Sequence, residues 1–313
     1  MNVLITGCAG FIGFHLSIFL KKKGFKIYGI DNLSSVSKKT QKKRIENLKR
    51  SKISFIKKDL SQKNSLNIFK KKRIKVIIHL AAQPGVRISQ KKPNETIKNN
   101  IISYLNILEF AKQNSIKNIF FASSSSVYGN TSKFKENLNV FKTTSIYAST
   151  KLYNEIISYT YHYLYNINFV GMRFFSIYGS FGREDMAYYK FLNKIYKNQF
   201  IEIFGSTNSK RSYTYIDDVI GSIFKLLNKK VKQKKYFNIL NIGNSKSVKL
   251  SKLLEIIKRN TNKKVKFKIK PRNNSDVVIT KADSKNLFSE IKYKPDTSIE
   301  KGYQEFINWF KKS

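Results

Sequence analysis

Residues 6–13 read TGCAGFIG, and the fold turns on what this stretch does. It follows directly on an apolar run, NVLIT at 2–6, and leads into an amphipathic segment that reads as a helix. Gly7, Gly10 and Gly13 recur at every third position, so the turn between strand and helix carries little side-chain bulk. A turn of that kind lets a pyrophosphate approach the backbone N–H groups of a helix start, and Phe11 and Ile12 lie in the same cradle. The next apolar run, KIYGID at 26–31, ends in Asp31, followed by Asn32. A carboxylate there accepts hydrogen bonds from the ribose hydroxyls of an adenosine and repels a 2′-phosphate, which favours NAD over NADP.

The same rhythm continues outward. ISFIKKD (53–59), VIIHLAA (76–82), IKNIFFAS (116–123) and NFVGMRFF (168–175) read as further strands, separated by longer amphipathic or mixed stretches. Alternation of this kind predicts an α/β protein: a Rossmann-type doubly wound parallel sheet, with ligands beyond the carboxyl ends of its strands. After about residue 176 the pattern breaks into short strands and helices. We therefore expect an NAD-binding domain over 1–175, with a later return of the chain around 206–230, and a smaller α/β lobe over 176–313 for the substrate.

Composition narrows the function. The chain has 313 residues and a formal charge of +42, from 61 basic and 19 acidic side chains. Only nine of the basic residues are Arg, and the lysines are spread along the chain in short runs, alongside heavy use of Asn, Ile, Phe and Tyr. That profile fits codon drift in an AT-rich genome better than a nucleic-acid stripe, which leans on clustered Arg and interleaved aromatics. The single cysteine, Cys8, excludes an internal disulfide. His15, His79 and His162 lie far apart without metal-ligand spacing. No apolar run is long enough to span a bilayer, and the expectation is a cytoplasmic protein without metal, membrane or nucleic-acid partner.

Two segments carry chemistry. FASSSSVYG (121–129) is an apolar strand ending in four serines, whose hydroxyls need partners and so should line a cavity beyond the strand. YASTK places Tyr147 and Lys151 four apart, on one face of a helix start. A phenol ordinarily titrates near about 10, and a neighbouring ammonium favours its phenolate, which can then act as a general base. Asp59 and Leu60, after the third strand, and Leu80, Ala81 and Ala82, after the fourth, fit the path of a dinucleotide through their order along the chain.

The ordered set TGCAGFIG, Asp31, DL, HLAAQPGVR, SSSSVYG, YASTK, RFFSIYG and RSYTYIDD resembles the extended short-chain dehydrogenase/reductase family, and within it the nucleotide-sugar epimerases, most of all the UDP-glucuronate 4-epimerases. The resemblance implies Ser124, Tyr147 and Lys151 as catalytic residues. It adds Gln83 and Asn99 to the NAD contacts already named, along with Tyr147 and Lys151. For a UDP-sugar it implies Arg87, Ser124, Ser125, Ser176, Arg183, Ile203, Phe204, Arg211 and Arg272, with Ser125 and Ser176 near a sugar carboxylate and Arg211 and Arg272 on the diphosphate. Related dehydratases carry Asp-Glu at the positions of Ser124 and Ser125, and related decarboxylases a Glu at the second; Ser-Ser at 124–125 leaves simple 4-epimerisation. The family also implies a homodimer. Departures from its pattern are Ser176 for Thr, Ser180 for Pro, Glu184 for Pro, Ser212 for Asp and NNSD (273–276) for a Gly-Asp pair. They leave open a UDP-glucose or UDP-N-acetylglucosamine 4-epimerase and, from another class, an inactive NAD-binding or basic RNA-associated protein.

Overall fold

The computed structural model describes residues 1–35, 37–272 and 279–312. Strand and helix alternate from the start: β1 (Asn2–Thr6), α1 (Phe11–Lys22), β2 (Lys26–Asp31), α2 (Lys38–Arg50), β3 (Phe55–Lys57) and β4 (Val76–His79). There follow α3 (Val86–Lys91), α4 (Pro93–Ile97), α5 (Ser103–Gln113), β5 (Asn118–Ser124), α6 (Ile146–Tyr165) and β6 (Asn168–Phe174). The remainder is β7 (Ser176–Tyr178), α7 (Ala187–Tyr196), β8 (Ile201–Phe204), β9 (Lys210–Arg211), β10 (Tyr213–Tyr215), α8 (Ile216–Lys230) and β11 (Phe237–Ile242). It closes with β12 (Val248–Lys249), α9 (Leu250–Thr261), β13 (Phe267–Lys270), α10 (Lys285–Ile291) and α11 (Ile299–Lys311).

Seven strands form one sheet in the order β11-β6-β5-β4-β1-β2-β3, every pair parallel. The order reverses on either side of β1, which creates a crevice at the carboxyl ends of β1 and β4. Both faces are covered, so the central strands are apolar throughout: Val3, Leu4, Ile5, Val76, Ile77 and Ile78 are fully buried. The Rossmann-type class expected from the sequence is the one observed. Two details differ. FNILNI at 237–242 is the outer strand of the large sheet, registered on β6 from Phe237↔Phe169 to Ile242↔Phe174. The longer stretch between β4 and β5 is not one regular helix: a π turn at Lys98–Ile102 joins α4 to α5 and wraps the buried Asn100 so that its amide meets Gln83 and Thr150.

The first turn is built on backbone contact. Gly7 has φ +69°, and a Cβ there would stand 2.7 Å from the Ala81 nitrogen. One on Gly13 would overlap the carbonyl oxygen of Gly7. Glycine is therefore a packing requirement here, not only a conformational one.

Two buried histidines set an acid limit. Burial pushes His15 down to about 4 and His79 to about 3, while each takes its ordinary value of about 6.5 once unfolded. Below pH 6.5 the unfolded chain binds protons that the folded chain refuses, so stability falls as pH falls toward 4. The expected loss from pH 7 to 4.5 is roughly 2.5 kcal/mol per histidine. Urea midpoints across that range check it, and His15→Gln should flatten the slope.

Candidate active site

A cavity of about 430 Å³ opens at the carboxyl ends of the sheet strands. At one end it is lined by Gly7, Gly10, Phe11, Ile12 and Gly13, by Asp31 and Asn32, and by Asp59 and Leu60. Leu80, Ala81, Ala82, Gln83 and Asn99 continue the wall. At the other end stand Ser124, Ser125, Tyr147, Lys151, Ser176 and Arg183. The remaining candidates lie apart from that lining and partly together. The Arg87 guanidinium stacks 4.2 Å from the Phe204 ring centre, and Arg272 packs against Gly205. Ile203 is buried where β8 pairs with β13, and Arg211 donates to the Lys210 carbonyl at 3.1 Å. The 273–276 departure lies outside the described residues.

The residues present fit a dinucleotide. Helix α1 starts on Gly10 with no side-chain cap and no acid in its first turn among the described residues, so its positive end is left for an anion. The Asp31 carboxylate is fixed by two backbone donors, Ala9 N–H at 2.9 Å and Leu33 N–H at 2.8 Å. Burial raises its pKa, and these bonds together with Arg44 pull it back.

At the other end the serines divide their work. Ser123 is buried and bonds Glu155, whereas Ser124 turns to the cavity, accepts from the hydroxyl of Ser126 at 2.8 Å and bonds the Tyr147 phenol. Lys151 is fully buried, donates to the Ala122 carbonyl at 2.9 Å, and is pushed down to about 8 by desolvation. Its Nζ is 6.0 Å from the Tyr147 ring centre. Burial raises the Tyr147 phenol, and the groups that draw it back are the Arg183 guanidinium and Ser124. The Lys151 ammonium expected from the sequence to favour the phenolate donates to a strand carbonyl as well, and Arg183 lines the same end of the cavity. Arg183 is itself held by both Asp185 oxygens, at 3.0 and 2.6 Å.

Arg44 and Gln41 also line the cavity and were missed from the sequence, while Ser126, last of the four serines, lines it as expected. Arg44 could have been found: it is one of only nine arginines in a lysine-rich chain.

The chain matches the model of the NAD dependent epimerase/dehydratase family over residues 3–243. A UDP-glucuronate 4-epimerase of Thermodesulfobacterium geofontis is 37% identical, over 99% of this chain and 96% of the relative. The crystal structure of UDP-glucuronic acid 4-epimerase from Bacillus cereus, in complex with UDP-glucuronic acid and NAD, superposes with a TM-score of 0.93 at 29% identity, covering 100% of this chain and 99% of that one. A UDP-N-acetylglucosamine 4-epimerase from Methanobrevibacter ruminantium M1 gives 0.88 at 29% identity over 99% and 98%. With glycine turn, serine-ended strand and Tyr-Lys helix converging on one cavity, and a family match across three quarters of its length, the chain belongs to the NAD dependent epimerase/dehydratase family.

Proposed function

We propose that the protein is an NAD-dependent nucleotide-sugar 4-epimerase that interconverts UDP-glucuronate and UDP-galacturonate. The observation that carries the reading is the distribution of acids in the cavity. Among the described residues, its lining carboxylates are Asp31 and Asp59, both at the adenosine end, while Ser124, Ser125, Ser176 and Tyr147 surround the reacting end. Moving a proton beyond C4, as dehydration and decarboxylation need, takes a further acid or base; a single 4-epimerisation does not.

Bound NAD supplies hydride acceptance at C4 and its return. Tyr147 removes the proton from the C4 hydroxyl and later gives it back, and Ser124 donates to the same oxygen. Lys151 anchors the helix that carries Tyr147 and faces the cavity with a positive charge. Gly7, Gly10, Phe11, Ile12 and Gly13 hold the pyrophosphate, Asp31 and Asn32 the ribose, and Asp59, Leu60, Leu80, Ala81, Ala82, Gln83 and Asn99 the rest of the dinucleotide. Ser125 and Ser176 take the sugar carboxylate, and holding it in the plane of the transient ketone protects it from loss as carbon dioxide. Arg87, Arg183, Ile203, Phe204, Arg211 and Arg272 form the UDP-sugar side in this reading. The part of the chain after about residue 175 then supplies mainly the nucleotide-sugar side, with helix α8 packed back against α1.

The assembly we propose is a homodimer. Helix α6 presents Ile156, Tyr159 and Tyr163 along one exposed stripe, beside Leu164, and a second copy would bury it. Among the described residues no helix is long and apolar enough to cross a membrane. We place the protein in the cytoplasm, supplying sugar nucleotides for polysaccharide assembly.

The test is an NMR assay of the purified protein, without added cofactor, on UDP-glucuronate beside the glucose and N-acetylglucosamine analogues. Selective formation of the galacturonate form is the expected result. Turnover of only the neutral sugars refutes the carboxylate site and retains the epimerase.

A further inference from the structure

The segment that carries Arg183 is fastened to the cofactor side by contacts that the catalytic reading does not use. His15 Nε2 meets the Ser180 carbonyl at 2.8 Å, and Arg44 Nη1 donates to the Phe181 carbonyl at 2.7 Å. Arg44 Nε also reaches the carbonyl of Ala9 at 2.8 Å, inside the glycine turn. The tightest feature is reciprocal. Helix α2 begins after Ser37, whose hydroxyl makes no cap bond within its own helix. Its third N–H, that of Thr40, donates instead to Glu184 Oε1 at 2.7 Å, while the Glu184 N–H donates to Ser37 Oγ at 2.9 Å. This is a capping box divided between segments 147 residues apart. Ser37, Thr40 and Arg44 are all buried and both bonds are partly buried, so little water stands ready to replace these partners.

We propose that Glu184 is a positioning residue that locks the 180–185 segment onto α2 and so holds the Arg183 guanidinium at Tyr147. The proposal rests on the epimerase reading. Arg183 adjoins Glu184 in sequence and lines the cavity with Tyr147, so a segment released from α2 carries the guanidinium away from the phenol. Misplacement of about 1 Å at a reacting centre costs up to about a hundredfold. Glutamine keeps the acceptor for Thr40 and the N–H for Ser37, whereas alanine removes the acceptor.

The experiment compares wild type with Glu184→Ala, Glu184→Gln and Ser37→Ala. It reads kcat and KM on UDP-glucuronate, and NAD retained per chain from the absorbance released on denaturation. Expected are a loss of kcat by about tenfold or more in Glu184→Ala with NAD content unchanged, recovery to within threefold in Glu184→Gln, and a partial loss in Ser37→Ala. A Glu184→Ala enzyme with kcat and KM within twofold of wild type overturns the proposal. Loss of NAD in parallel with activity also overturns it, because the contact would then hold the cofactor. Should Glu184→Ala not fold, Ser37→Ala decides by the same criteria. A wild type inactive on every sugar overturns the epimerase reading and this proposal with it, a result distinct from an active wild type matched by its variants.

Discussion

Tyr147→Phe should lower kcat about a thousandfold, with NAD still bound and the fold intact. Among the described residues the phenol shares the reacting end of the cavity with Ser124 and Arg183, and no carboxylate or histidine lines that end to take over its proton. General acid–base catalysis by one positioned side chain contributes about 10² to 10⁴. The ring stays in place without its hydroxyl, because the helix is fixed by Ser145, whose side chain caps the Ala148 N–H at 3.1 Å, and by the Lys151 bond. Wild-type rate should rise with pH as the phenol loses its proton. Burial moves that limb up, and Arg183 and Ser124 move it down. The NMR assay across pH checks both expectations: a Tyr147→Phe enzyme retaining a tenth of the activity would remove Tyr147 from the mechanism.

Much of this site was legible because its parts are local. The glycine turn, Asp31 at a strand end and the Tyr147–Lys151 spacing each follow from one segment and its periodicity, and the cavity gathers all of them. What was not legible depends on segments far apart in sequence. Nothing in FNILNI says that it joins β6 as an outer strand, since an apolar run of that length suits either lobe. The aim of the Lys151 ammonium at Ala122 depends on how α6 lies on β5, which spacing does not give. Glu184 reads as a simple departure from the family pattern until α2 is brought beside it. For Arg44 and Arg173 the rarity of arginine among so many lysines was a signal in the composition, but it names neither residue's partners, which only the fold supplies.

Arg173 is also the site of the largest expected change in stability. It lies in β6, 3% exposed, and its fork meets Glu155 of α6 through Nε–Oε1 at 2.9 Å and Nη2–Oε2 at 2.7 Å. Glu155 is 6% exposed and bonds Ser123 as well, and the guanidinium stacks 4.7 Å from the Tyr128 ring centre. Two charges here are compensated by each other, so removing one leaves the other buried and unpaired. Arg173→Met or Glu155→Met alone should each lose about 3 to 5 kcal/mol in urea unfolding. The double variant should lose much less than the sum, because it exchanges an ion pair for apolar contact and gives up only the neutral partners of that pair, the Ser123 hydroxyl and the Glu136 carbonyl. Glu155 is one helical turn beyond Lys151, and Ser123 immediately precedes Ser124, so the pair also fixes how the Tyr147 helix lies on the serine strand. Activity should consequently stay depressed in the double variant even where stability returns. Additive losses in the double variant would show that the two residues act independently, and full recovery of activity would show that the pair serves stability alone.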